Sequence, residues 1–255
     1  MIVLYEIVRC VLVLGLAAWL LCRARAMPDR PRLYALAGAA ACLFLGDAYW
    51  LAHLIVRGET PVIFSACDVA YVGCWLMCNA ALPGAPLRAL RKRPLAAGMG
   101  ALALLNGAAW IAWTGEWITN ILWNIPLLLM AVRGAMLVEG ALTRRQRGAL
   151  LATMALLAAA GALWLGRTGG APGALGLICS ALWLALIVQL GAALRGRGSL
   201  RTLSVPAWLL LATLCEFASL LAQGAAYYGF QVMTTAAFAF AALAACGGEE
   251  ARDAL

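Results

Sequence analysis

Three carboxylates and one arginine fall inside runs of apolar residues: Asp47, Asp68, Glu216 and Arg133. An ionisable side chain near the centre of a bilayer costs at least ~2.5 kcal/mol, so each needs a partner or a task. Residues at helical spacing join them. Asp47 shares a face with Trp50 and Leu54, and Asp68 with Tyr71 and Trp75. Asn120 lines up with Trp123 and Asn124, and Glu216 with Ser219, Gln223 and Tyr227. Carboxylates, amides and aromatic rings together suit a small polar or cationic ligand, held by ion pairing and cation–π contact. His53, the one histidine, sits nearer the surface, as do Glu6 and Arg9. The i,i+3 spacing of Glu6 and Arg9 predicts an ion pair within one helix. Arg133 is close enough to a run's end to snorkel to headgroups. Asn106, Asn120 and Asn124 also fit a role as hydrogen-bonding glue between helices.

The elements that hold these groups are membrane spans. The chain of 255 residues is 65% hydrophobic and only 12% charged. Its mean hydropathy is +0.91. A soluble domain averages about 25% charged residues. Nine apolar runs are long enough to span: 2–22, 33–56, 61–82, 95–114, 117–138, 148–166, 174–194, 205–225 and 229–246. Eight is the alternative count, because only the stretch ending in Tyr227, Tyr228 and Gly229 parts the last two. The expected fold is thus an all-α polytopic bundle, one integral membrane domain over 1–255 with a short tail at 247–255.

Arginine placement sets orientation. Of the 19 Lys and Arg residues, 14 fall in four loops, at 23–32, 88–93, 144–147 and 195–201. Alternate loops are nearly free of positive charge, the positive-inside pattern. The basic loops are therefore expected in the cytoplasm, the N-terminus outside and the tail inside. Asp47 then lies ~14 Å and Asp68 ~10 Å below the outer surface, at 1.5 Å per residue. The hairpin of spans 2 and 3 should bring them together in an outward-facing pocket. Span 6 carries no polar–aromatic stripe and is expected to face lipid.

Other classes fit poorly. The net charge of +8 sits at span ends, where it meets anionic headgroups, so nucleic acid is not an expected partner. The nine cysteines lie in apolar runs, and Cys67, Cys74 and Cys78 share a helix face as small packing residues. No metal, cofactor or catalytic set is expected. The N-terminus lacks the basic region and cleavage site of a signal peptide.

One hairpin resembles a known pattern. Gly46-Asp47 and Trp50, then Gly58 and Pro61, then Ser65, Asp68 and Tyr71 resemble a hairpin in the multi-spanning N-terminal sensor regions of some bacterial diguanylate cyclases and histidine kinases. Phe64 stands where a second proline is usual. The match covers residues 46–71 and implies a sensor in a bacterial inner membrane. No cyclase or kinase module follows in this sequence, so a signal would pass through a cytoplasmic or membrane partner. The expected function is a stand-alone sensor or accessory subunit binding a small polar or cationic ligand. A small-solute or proton-coupled transporter is the alternative. Less favoured is an intramembrane hydrolase of lipid-like substrates, with two carboxylates as acid and base.

Overall fold

The computed structural model describes residues 2–27, 30–61, 64–84, 92–165, 173–195, 204–220, 222 and 224–250. Every element among them is helical: α1 (Ile2–Ala26), α2 (Arg30–Arg57), α3 (Ala66–Ala81), α4 (Pro94–Thr114), α5 (Trp117–Val138), α6 (Arg144–Leu165), α7 (Gly173–Arg195), α8 (Val205–Leu220) and α9 (Ala225–Glu250), with a single 3₁₀ turn at Glu139–Ala141. Seven of the nine are long and apolar enough to cross a membrane. The chain is a multi-pass membrane protein.

The two exceptions, α3 and α8, have 16 residues each, or ~24 Å against a hydrocarbon core of ~30 Å. For α3 the cause is local. The apolar run starts at Pro61, but Phe64 has φ 62° and Ser65 is extended, so the helix begins only at Ala66. Other boundaries also moved. Arg144, Arg145 and Arg147 form the first turn of α6 rather than a loop, and Tyr227 and Tyr228 lie inside α9 rather than between two spans.

The helices pack as two units. In the first, α1 packs on α2 and α2 on α3, with the last residues of α9 assigned to the same unit. The start of α1, the end of α2 and the start of α3 lie at one end of this unit, as antiparallel neighbours require. Gly58 closes α2 with φ 71°, its N–H donating to the Leu54 carbonyl at 3.0 Å. Small residues let α2 and α3 approach. A Cβ on Gly46 would lie 2.6 Å from the Tyr71 ring, and one on Gly73 would lie 3.2 Å from the Cys42 sulfur.

The second unit runs from Gly84 to Ala244. Its helices close a ring: α4 packs on α5, α5 on α8, α8 on α7, α7 on α6, and α6 back on α4. Every residue of α8 from Ala207 to Ser219 is buried. A helix apolar all round belongs in a core, which accounts for a short α8 that presents little surface. Trp208 of α8 stacks on Phe240 of α9 at 4.7 Å. The α6 helix has a polar tie of its own, the Thr153 hydroxyl donating to Gln189 Oε1 of α7 at 2.9 Å.

Candidate functional site

The site builds from α2. Asp47 is fully buried, at 0% exposure. A carboxylate there demands a cation and donors. Arg9 of α1 supplies the cation, its Nε 3.1 Å from Asp47 Oδ2. Tyr71 of α3 supplies a donor, its hydroxyl donating to Asp47 Oδ1 at 2.9 Å. The expected pairing of Arg9 with Glu6 along one helix is thus replaced by a pair across two helices. Burial is the reason: Asp47 has no access to water and Arg9 is only 8% exposed, so each satisfies the other. Gly46 is part of the same device. Having no Cβ, it leaves room for the Tyr71 ring, and the ring's position brings its hydroxyl to the next residue along α2.

Glu6 completes the cluster. It is 6% exposed and close enough to feel the charges of both Arg9 and Asp47. It makes no ion pair or hydrogen bond with any described residue. Two buried carboxylates therefore surround one guanidinium. Counted with both carboxyls ionised, and among the described residues, the cluster is one positive charge short.

Asp68 has a different position from the one expected. Its Oδ2 accepts from the backbone N–H of Ser65 at 2.8 Å and from the Ser65 hydroxyl at 3.4 Å. This is a capping box at the start of α3, the use that Ser-x-x-Asp ahead of an apolar run has in many helices. The two carboxylates of the hairpin thus point to different work, Asp47 to Arg9 and Tyr71, Asp68 back to Ser65. His53 donates from Nδ1 to the Glu59 carbonyl at 3.0 Å, which ties α2 to its turn, and Tyr49 lies 6.2 Å from its ring. Trp50 is half-buried on the same helix.

The remaining expected residues belong to the second unit. Asn120 Nδ2 donates to Thr114 Oγ1 at 3.1 Å and to the Glu116 carbonyl. Asn124 Nδ2 donates to the Asn120 carbonyl at 2.6 Å. The two Asn120 bonds hold the α4–α5 turn, and the Asn124 bond lies within α5. Trp123 meets Trp110 edge to face at 6.4 Å, and a Cβ on Gly107 would come within 2.9 Å of the Asn124 side chain. Glu216 is gripped from α9, with Gln231 Nε2 at 3.3 and 3.2 Å from its two oxygens and 2.9 Å from Ser219 Oγ. Gln223, expected on that face, lies outside the described residues. Arg133 is half-buried on α5.

Two participants, Gln231 and Glu139, were not singled out in the sequence. Gln231 was placed beside a span end, because the run was drawn to begin at Gly229. Glu139 is buried in the 3₁₀ turn, where its Oε1 accepts from Leu95 N–H at 3.4 Å at the start of α4 and lies 3.8 Å from Arg147. Asn106 lines a cleft between α4, α6 and α7. The pairing of Arg9 with Asp47 did have a signal. Arg9 lies seven residues into α1 and Asp47 ten residues before the end of α2, so antiparallel packing puts them at similar depth.

Comparison with protein-family models, with curated proteins and with solved structures returned no match.

Proposed function

We propose that this protein is a membrane sensor or accessory subunit that takes up a small cation at the Glu6–Arg9–Asp47–Tyr71 cluster. The observation that carries the reading is the charge count: two buried carboxylates, one arginine. An isolated buried charge is far too costly to keep, so the balance needs one more positive charge, from a proton or a bound ligand. A small organic cation beside Glu6 would supply it. The aromatic side chains Tyr5 and Tyr71, which feel the same charges, would add cation–π contact. The reading involves no covalent step.

The orientation of the basic loops supports entry from outside. With those loops cytoplasmic, all nine helices cross, α3 and α8 as short spans, and the N-terminus and the α2–α3 turn face outward. Glu6 then lies only ~6 Å below its helix start.

Sensing is favoured over transport by the other half of the same unit. Beyond Asp47 the buried side chains among the described residues include Leu20, Leu33, Leu36, Cys74, Trp75 and Cys78. Asn79 is the polar member there, and its Nδ2 is bound to the Trp75 carbonyl at 3.0 Å. This packing offers a cation no onward path. Binding would instead act on helix contacts. Arg9 ties α1 to α2, and a ligand cation near Glu6 would compete with Arg9 for carboxylate oxygens. The α1 face carrying Val8, Val11 and Leu12 is exposed, and a partner helix in the membrane could read its movement.

A thermal-shift screen of purified protein against small amines and amino acids tests the proposal. Linkage requires stabilisation by anything that binds only the folded state. At least one amine should raise the Tm of the native protein and leave Glu6→Gln unchanged. Equal stabilisation of Glu6→Gln, or no response to any amine, would overturn it.

A further inference from the structure

The starts of α4 and α6 converge on one buried carboxylate in the second unit. Glu139 is 1% exposed. Its Oε1 accepts from the Leu95 N–H in the first turn of α4 at 3.4 Å and stands 3.8 Å from Arg147 Nη1 in the first turn of α6. Arg93, the N-cap of α4, reaches the next residue of the same 3₁₀ turn. A Cβ on Gly140 would stand 3.6 Å from its Nη1. Two guanidiniums thus flank a turn that holds one carboxylate.

The local charge is strongly positive. Within residues 92–95 and 138–150, Lys92, Arg93, Arg144, Arg145 and Arg147 stand against Glu139 as the single acidic side chain. These cations sit at helix starts, where the dipole and the free N–H groups favour an anion. By contrast, Arg23 and Arg25 of α1 and Arg195 of α7 lie in last turns, where the dipole favours a cation. The charges are also accessible. Arg147 keeps 36% of its side chain exposed, Arg93 is half-buried and Arg144 is exposed.

The depth of the cluster names its ligand. Both helices are apolar spans from their first residues onward, Pro94–Ala112 and Arg144–Leu165. The cluster therefore lies at a membrane surface whichever way the chain is inserted. Along α6 the face of Arg144 continues through Gly148, Ala152 and Ala155, all exposed. A Cβ on Gly148 would meet no atom within 4 Å. These small side chains leave a shallow lane below the arginines, which an acyl chain fits and a free phosphate would not use.

We infer that the starts of α4 and α6 bind the phosphate of an anionic phospholipid, held by Arg93 and Arg147 with Arg144 beside them, its acyl chain along α6. Glu139 is a positioning residue that ties α4 to α6 and orients Arg147. A guanidinium grips phosphate through two parallel N–H bonds, a geometry that an ammonium does not offer. That separates this site from the diffuse attraction of any basic loop for a negative membrane surface.

Native mass spectrometry of the full chain, delipidated in detergent, tests the inference with phosphatidylglycerol and phosphatidylcholine of the same acyl chains. The native protein should bind one phosphatidylglycerol at least roughly tenfold tighter than phosphatidylcholine, whose choline cation opposes the arginines. Arg93→Gln leaves the Glu139–Arg147 pair in place, so it should fold and weaken phosphatidylglycerol binding roughly tenfold. Arg147→Lys keeps the charge beside Glu139 but removes the fork, and should weaken binding by at least roughly threefold. Arg30→Gln, at the exposed start of α2, removes the same charge as Arg93→Gln and should leave the affinity unchanged. Gel filtration checks each variant for an intact bundle. Equal binding of the two lipids overturns the inference, as does an affinity unchanged in folded Arg93→Gln or Arg147→Lys. An equal loss in Arg30→Gln overturns it by showing diffuse attraction alone. Displacement of the lipid by glycerol phosphate overturns it too, because the phosphate would then be held without its chains.

Discussion

Arg9 Nε stands 3.1 Å from Asp47 Oδ2, and this ion pair joins α1 to α2 inside the first unit. Removing one member of a buried pair leaves the other uncompensated, typically at 3–5 kcal/mol. Arg9→Met should therefore destabilise by about 3–5 kcal/mol, and Asp47→Leu by a similar amount. The double variant should recover most of the loss, because two apolar side chains need no compensation. Reversible unfolding in mixed micelles measures the cycle. Additive losses would mean that the pair is not a coupled unit.

Gly46 and Tyr71 form a second coupled pair. Tyr71→Phe keeps the ring and removes one hydrogen bond to a charged acceptor, so a loss of about 1.5–3 kcal/mol is expected. Gly46→Ala forces a Cβ to within 2.6 Å of the ring, an overpacking that typically costs about 1–3 kcal/mol. Adding Tyr71→Ala should remove the clash, so Gly46→Ala should cost almost nothing in that background. A full penalty there would show that the glycine serves something other than the ring.

Asp68 is a helix cap, and its substitution should behave like one. Ser65→Ala and Asp68→Ala should each cost about 1 kcal/mol, and the double variant little more than either alone, since each closes one half of the same box. Neither should alter the response to amines. Loss of that response in Asp68→Ala, with the fold intact, would return Asp68 to the binding site.

The topology gives a prediction independent of the site. In a cysteine-free background, a single cysteine at Glu59 should react with an impermeant maleimide from outside, and one at Lys92 only after the membrane is permeabilised. Reaction of position 92 in intact cells would reverse the orientation, and with it the side from which the ligand arrives.

The sequence showed the helical membrane fold well, because about 20 apolar residues in a row have few alternatives. It overstated the length of span 3, because hydropathy does not register the left-handed Phe64 or the capping box that starts the helix five residues later. The same blindness hid the capping role of Asp68. A carboxylate in an apolar run suggests a buried site, but three residues after Ser65 the more economical use is a cap. Asp47 was recognised as needing a reason, yet its partner was sought nearby in the chain. Arg9 is 38 residues away, and local spacing offered Glu6 instead. The Gly-Asp and Tyr of the hairpin pattern acquire a physical sense from the packing: space for a ring, an acceptor, and the hydroxyl that meets it.

The charge deficit at Glu6, Arg9 and Asp47 is the centre of this account, and infrared difference spectroscopy reads it most directly. Native protein, Glu6→Gln and Asp47→Asn would be compared before and after addition of the amine giving the largest thermal shift. If the cluster is one cation short, a carboxyl group carries the balancing proton until the ligand arrives. The amine should then convert a protonated-carboxyl C=O band into a carboxylate band in the native protein, and Glu6→Gln should lack the change. An unchanged carboxyl region in the native protein, or the same difference band in Glu6→Gln, would contradict the account.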